Sequence, residues 1–234
     1  MERPRRSLTT YPSPSNSDSQ PKMLQAPVIG ISRHRLSVDG EGVTTLVAFH
    51  GCPLRCRYCL NAQCQRPDGI LREVTTDELA KELAVDNLYF LATGGGVTFG
   101  GGEPCLRSAF IEELVSLIDK RWHINIETSL HVERHHLERL LPLVHQWIVD
   151  IKDINPNIYQ QYTEQDNAVV IDNLEWLLSY ENIADHLLVR LPHIPHYNTD
   201  ADVQASRSRL EKMGVRHFDE FTYFIIEKGK KLAQ

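Results

Sequence analysis

Six short strand-like segments alternate with helix-like segments from residue 44 to residue 226, and this alternation constrains the fold most. The strands are expected at 44–50, 96–99, 124–127, 146–151, 186–191 and 220–226, with TTLVAFH at 44–50 reading as a buried strand. Helices are expected at 75–86, 108–120, 132–141, 155–162, 166–180 and 199–213. The first opens on a capping box, Glu78 standing three residues after Thr75. Strand–helix alternation implies a parallel sheet with helices packed outside it. Six strands are two short of a closed eightfold barrel. The expected fold is therefore α/β, a partial (β/α)6 TIM-like barrel with parallel strands; an open doubly wound sheet is the alternative. In a barrel, functional residues gather just after the strands, at one face.

The 234 residues, 41% of them apolar, are enough to bury a core. No apolar run approaches the roughly 20 residues of a spanning helix, so no membrane association is expected. A net charge of −6 gives no global footprint for nucleic acid. Residues 1–26 read as a disordered tail, because 12–21 holds three prolines and four serines and nothing aliphatic. Residues 27–234 form the expected domain. The basic start MERPRRSL lacks a following apolar region, which argues against export and for a cytoplasmic protein.

Four of the five cysteines, Cys52, Cys56, Cys59 and Cys64, fall within 13 residues. A disulfide framework would spread an even number along a small secreted chain, so this clustering points to metal. Three thiolates in one tight loop suit an iron–sulfur cubane with one iron left open, and an open position is what a catalytic site requires. The alternative is a zinc knuckle completed by Cys64 or His50. Cys64 and Cys105 otherwise read as small buried hydrophobes. The eleven histidines show no second metal motif, and His135 and His136 read as helix surface.

Cys-x3-Cys-x2-Cys, with Tyr58 before the last cysteine, resembles the radical S-adenosylmethionine (SAM) superfamily. Asp39-Gly40-Glu41-Gly42, then FHGCPLRCRYCLNAQC at 49–64 and GGGVTFGGGEP at 94–104, resembles its glycyl-radical-enzyme activating enzymes. The resemblance runs from about residue 28 to residue 231. It implies one [4Fe–4S] cluster held by Cys52, Cys56 and Cys59, with Tyr58 and Leu60 beside the cofactor. Only 43 positions separate Cys59 from Gly102, which leaves no room for the ferredoxin-like insertion of some relatives.

Gly101, Gly102 and Glu103 would bind the amino group of SAM, the glycines by close backbone approach and the carboxylate by charge. Glu127, Thr128 and Asp150 would give oxygen ligands to a monovalent cation beside SAM, although the family has Asp where Glu127 stands. Lys152 and Arg190 would face the SAM carboxylate or ribose. His196 stands where the family has glycine, and Ile226 where it has histidine. The chain ends at Gln234, short of the family's C-terminal helix.

The implied reaction is reductive cleavage of SAM to methionine and a 5′-deoxyadenosyl radical, which removes a Cα hydrogen from a glycine of a partner glycyl radical enzyme. The implied electron donor is a small protein such as flavodoxin or ferredoxin. A radical SAM enzyme for another peptide or small molecule is one alternative; a non-catalytic metal-binding interaction protein is the other.

Overall fold

Residues 23–36 and 38–223 are described by the computed structural model, with the backbone of two short strands beyond them. The elements are β1 (Gln25–Leu36), β2 (Val43–Phe49), β3 (Arg72–Thr75), α1 (Thr76–Leu83), α2 (Asn87–Thr93), β4 (Gly96–Gly101) and α3 (Ser108–Leu117). They continue with β5 (His123–Thr128), α4 (Arg134–Leu140), β6 (Gln146–Asp150), α5 (Pro156–Thr163), α6 (Ala168–Leu178), β7 (Leu187–His193), α7 (Asp200–Met213) and β8 (His217–Thr222). β9 (Ile226–Glu227) and β10 (Lys230–Lys231) pair only with each other.

The main sheet has the order β3-β1-β2-β4-β5-β6-β7-β8. From β2 to β8 every pairing is parallel and follows chain order. These six are the strands expected from the sequence, and they make a partial (β/α)6 barrel. β3 and β8 are its two edges, so the wall stays open on one side. β1 and β3, which the sequence did not announce, add an antiparallel flank to β2. β1 also moves the start of the domain: Ala26, expected in the tail, is fully buried in this strand. Residues 1–22 lie outside the described residues, as does the side chain of Ile226. The last parallel strand covers 217–222 rather than 220–226.

Local chemistry sets the boundaries. Thr75 Oγ1 accepts from the Glu78 N–H while the Glu78 carboxylate accepts from the Thr75 N–H, the reciprocal pair that starts α1. Thr199 and Asp202 repeat the device at α7. Alternate strand side chains point outward under the helices or inward into the barrel. Phe49 and Phe99 stack outward at 5.8 Å, with Phe110 of α3 edge-on to Phe49 at 5.7 Å. Val97, Ile126, Trp147, Val149 and Val189 continue this buried layer, each side chain contributing about 1.5–3 kcal/mol. Several inward positions are polar. Asn125 Nδ2 donates to Thr98 Oγ1, and a Cβ placed on Gly100 would meet Glu127 Oε2 and Leu46.

Candidate active site

The cysteine loop leaves the C-terminal end of β2 and is strapped to two neighbours. Arg55 N–H donates to the Thr163 carbonyl at 2.9 Å and Arg57 N–H to the Tyr162 carbonyl at 3.1 Å. Both acceptors end α5, where helix carbonyls lack intrahelical partners, so loop and helix end satisfy each other. Asn61 Nδ2 donates to the Gly101 carbonyl at 3.0 Å, tying the loop to the end of β4. Leu54 buries its side chain beneath the loop. Glycine is required at this junction: a Cβ on Gly102 would lie 2.2 Å from the Gly51 carbonyl oxygen, and Gly101 has φ +91°.

Cys52, Cys56 and Cys59 are free and half-buried, and Cys64 and Cys105 are free and buried. Burial pushes the Cys52 thiol up to about 12 and the Cys56 thiol up to about 11, with Lys152 pulling Cys56 the other way. Cys59 is lowered to about 6, first by a hydrogen bond from Cys64, whose own thiol is raised by that bond. Cys64 is buried next to Cys59 and is the neighbour that lowers its thiol. Cys105 does sit in the core, its Sγ 3.4 Å from Thr128 Oγ1.

Lys152 is buried at the end of β6, Nζ lying 3.1 Å from Asp150 Oδ2 and donating to Tyr223 Oη at 3.0 Å. Burial opposes its charge, but Asp150 and Tyr223 raise it well above the ordinary lysine value, so it stays cationic. Tyr58 packs against Tyr162 and Tyr197 at 6.0 and 5.8 Å, whereas Leu60 projects outward at 73% exposure.

Glu103 is turned onto donors of the protein itself. It is 1% exposed, and its two oxygens accept from Thr128 Oγ1 (2.7 Å), Cys105 N–H (3.2 Å), Ser129 N–H (2.9 Å) and Ser129 Oγ (2.7 Å). A buried carboxyl group needs its oxygens hydrogen-bonded, and here four donors of the protein meet them. What the β4 end leaves beside the cysteine loop is glycine backbone. The expected cation trio is also divided. Thr128 Oγ1 is engaged with Glu103, while Glu127, on the opposite face of the same strand, lies inside the barrel. There Arg190 Nη1 donates to Glu127 Oε1 at 2.8 Å and Nη2 donates to the Val38 carbonyl. Burial pushes Glu127 up to about 7, with Asp39 and Asp150 adding to the rise and Arg190 opposing it. Of the helix histidines, His136 bonds Ser108 Oγ at 2.8 Å rather than facing solvent alone.

The donor set fits a thiolate-bound cluster. Three thiols share one loop, a fixed lysine ammonium lies beside Cys56, and the Tyr159 hydroxyl, with Cys52 and Cys56 among its electrostatic neighbours, is buried without a partner. A model of the radical SAM superfamily matches residues 46–206. The chain belongs to that superfamily. The pyruvate formate-lyase-activating enzyme of Staphylococcus aureus is 31% identical over 173 residues, which are 71% of this chain and 68% of that protein. Among solved structures, SuiB of Streptococcus suis bound to S-adenosylmethionine has TM-score 0.56 at 13% identity, covering 81% of this chain and 44% of that one. Native anSMEcpe with bound AdoMet has TM-score 0.54 at 18% identity, covering 77% and 52%. These two show the fold alone. This radical SAM enzyme resembles the activating enzymes, and its superfamily uses a [4Fe–4S] cluster and SAM. Among its described residues, no helix is long and apolar enough to cross a membrane.

Proposed function

We propose that this radical SAM enzyme activates a partner glycyl radical enzyme, as a cytoplasmic protein reduced by a small donor such as flavodoxin or ferredoxin. The reading rests on the three-thiol loop at the open end of a six-stranded barrel, and on the likeness to pyruvate formate-lyase-activating enzyme.

Cys52, Cys56 and Cys59 hold the cluster, and Lys152 offsets the negative charge that three thiolates gather in a buried place. The backbone of Gly101 and Gly102 approaches the amino end of SAM, and Tyr58 and Leu60 flank it. Glu103 is assigned a positioning role, holding the ends of β4 and β5 together through Thr128 and Ser129. Arg190, Glu127 and Asp150 line the barrel interior, where they meet the polar end of SAM or a small cation. When bound, the reduced cluster supplies the electron that breaks the carbon–sulfur bond of SAM, giving methionine and the 5′-deoxyadenosyl radical that takes the glycine hydrogen. Glycine suits that step because no side chain covers its Cα, and the open wall between β3 and β8 leaves room for a peptide loop.

The test is electron paramagnetic resonance of a candidate partner after anaerobic incubation with the cluster-loaded enzyme, SAM and a reductant. A glycyl doublet on the partner is expected. SAM cleavage with no doublet on any glycyl radical enzyme supplied moves the reading to another peptide or small molecule.

A further inference from the structure

The end of the barrel opposite the cysteine loop carries a second group of ligating side chains. His123 opens β5, His145 immediately precedes β6 and His186 immediately precedes β7, so adjacent parallel strands set their imidazoles side by side. The His123 and His145 rings stack with centroids 3.6 Å apart, and His186 lies 5.5 Å from His145. Glu41 reaches the same place from the turn between β1 and β2. One ligand atom from each of Glu41, His123 and His145 lies within 4.8 Å of the other two.

The turn that carries Glu41 is pinned in position. Gly40 and Gly42 flank it with φ of +129° and +67°. A Cβ on Gly40 would meet Asn125 Nδ2 at 2.2 Å, and one on Gly42 would meet the Thr93 carbonyl at 2.5 Å. Only glycines let the turn press this closely on the barrel, so Glu41 is held at the foot of β5. His123 Nδ1 is buried and has no hydrogen-bond partner, a condition that calls for a ligand or a reason.

We propose that Glu41, His123 and His145 form a binding site for one borderline divalent transition-metal ion of the zinc class, separate from the cluster. Two imidazole nitrogens and one carboxylate oxygen are a zinc-type donor set with a position left open. The hard cations calcium and magnesium call for oxygen ligands throughout. Ligand bonds of about 2.0–2.1 Å in a tetrahedral site bring the donor atoms to roughly 3.3 Å from one another. Binding requires the His123 and His145 rings, stacked 12° from parallel, to turn so that one nitrogen of each points at the ion. The bound ion then clamps the turn after β1 to the starts of β5 and β6, at the barrel's foot.

The test is anaerobic equilibrium dialysis of the cluster-loaded full chain against micromolar Zn2+, with iron and zinc measured together. The expected result is one zinc per chain with the iron unchanged. His145→Gln and His123→Gln are expected to lose that zinc and keep their iron. Glu41→Gln, at an exposed position that folding does not need, weakens zinc binding at least about tenfold. Zinc also raises the thermal midpoint of the wild type and leaves that of His145→Gln unmoved. No retained zinc at full iron content overturns the proposal. So does retention by Glu41→Gln and either histidine variant at wild-type affinity, which would place the ion elsewhere.

Discussion

Arg190 Nη1 lies 2.8 Å from Glu127 Oε1, a contact that reaches across β6 from β7 to β5 inside the barrel. Asp39 and Asp150 face the same space, so removing the guanidinium would leave carboxylates to repel one another in a buried place. Arg190→Met is therefore expected to destabilise the fold by about 3–5 kcal/mol in urea unfolding, and Arg190→Met with Glu127→Gln to recover most of the loss. The pH dependence has a definite sign. Glu127 is raised from 4.5 to about 7 in the folded protein, so the folded state holds this proton more tightly than the unfolded chain does. Its contribution is full below about pH 4.5 and disappears as pH rises to about 7. Glu127→Gln is expected to remove that part of the stability–pH curve.

Glu103 has its two oxygens met by four donors, from Thr128 at the end of β5, from Ser129 just after it and from the turn after β4. Glu103→Gln places an amide N–H2 against N–H groups and leaves at least one donor unmet. The expected loss is about 1–3 kcal/mol of stability, and the Kd for SAM rises because the glycine edge beside the cysteine loop loses its support. Calorimetric titration with SAM on the cluster-loaded variant, beside chemical unfolding, reads both.

In the cluster-free protein the three cluster thiols differ sharply. Cys59 is lowered to about 6, whereas Cys52 and Cys56 are raised to about 12 and about 11. Iodoacetamide at pH 7 is expected to alkylate Cys59 first, read by peptide mass spectrometry. That rate falls about tenfold between pH 7 and pH 5 as the thiolate is protonated. Cys64→Ala removes the hydrogen bond and slows Cys59 labelling, yet retains the full iron content, because Cys64 supports a ligand without being one.

His196 occupies a left-handed backbone position, φ +70°, in the loop after β7. The loop keeps the conformation that a glycine would adopt there, with a side chain that disfavours it. His196→Gly is expected to stabilise the protein by about 0.5–1 kcal/mol, less than the full strain because glycine also loosens the unfolded chain. The midpoint of urea unfolding measures it.

The parallel strands were legible because burial on both faces leaves compact apolar runs, such as VTTLVAF in β2 and QWIVD in β6. β1 was not, since QAPVIGISRHRL pairs irregularly with β2, is flanked by β3 only along its first four residues and has a largely wet second half. β3 is four residues long and merges into the capping box of α1. α2 carries Leu88 and Tyr89 exposed, so its apolar residues trace no single face. At the site, the cysteine spacing named the loop directly. The direction of the Glu103 carboxylate was not readable, because it depends on the partners offered by Thr128 and Ser129. The meeting of Glu41, His123 and His145 depends on strand register, which no local motif encodes.

The most direct test of the radical SAM chemistry is anaerobic reconstitution with iron and sulfide, followed by reduction and an assay for 5′-deoxyadenosine from SAM, with Cys56→Ala alongside. About four cluster irons per chain and SAM cleavage by the wild type alone are expected for one cluster held by three cysteines. Zinc at the three thiols in place of a cluster, or a complete cluster that never cleaves SAM, would contradict the catalytic assignment.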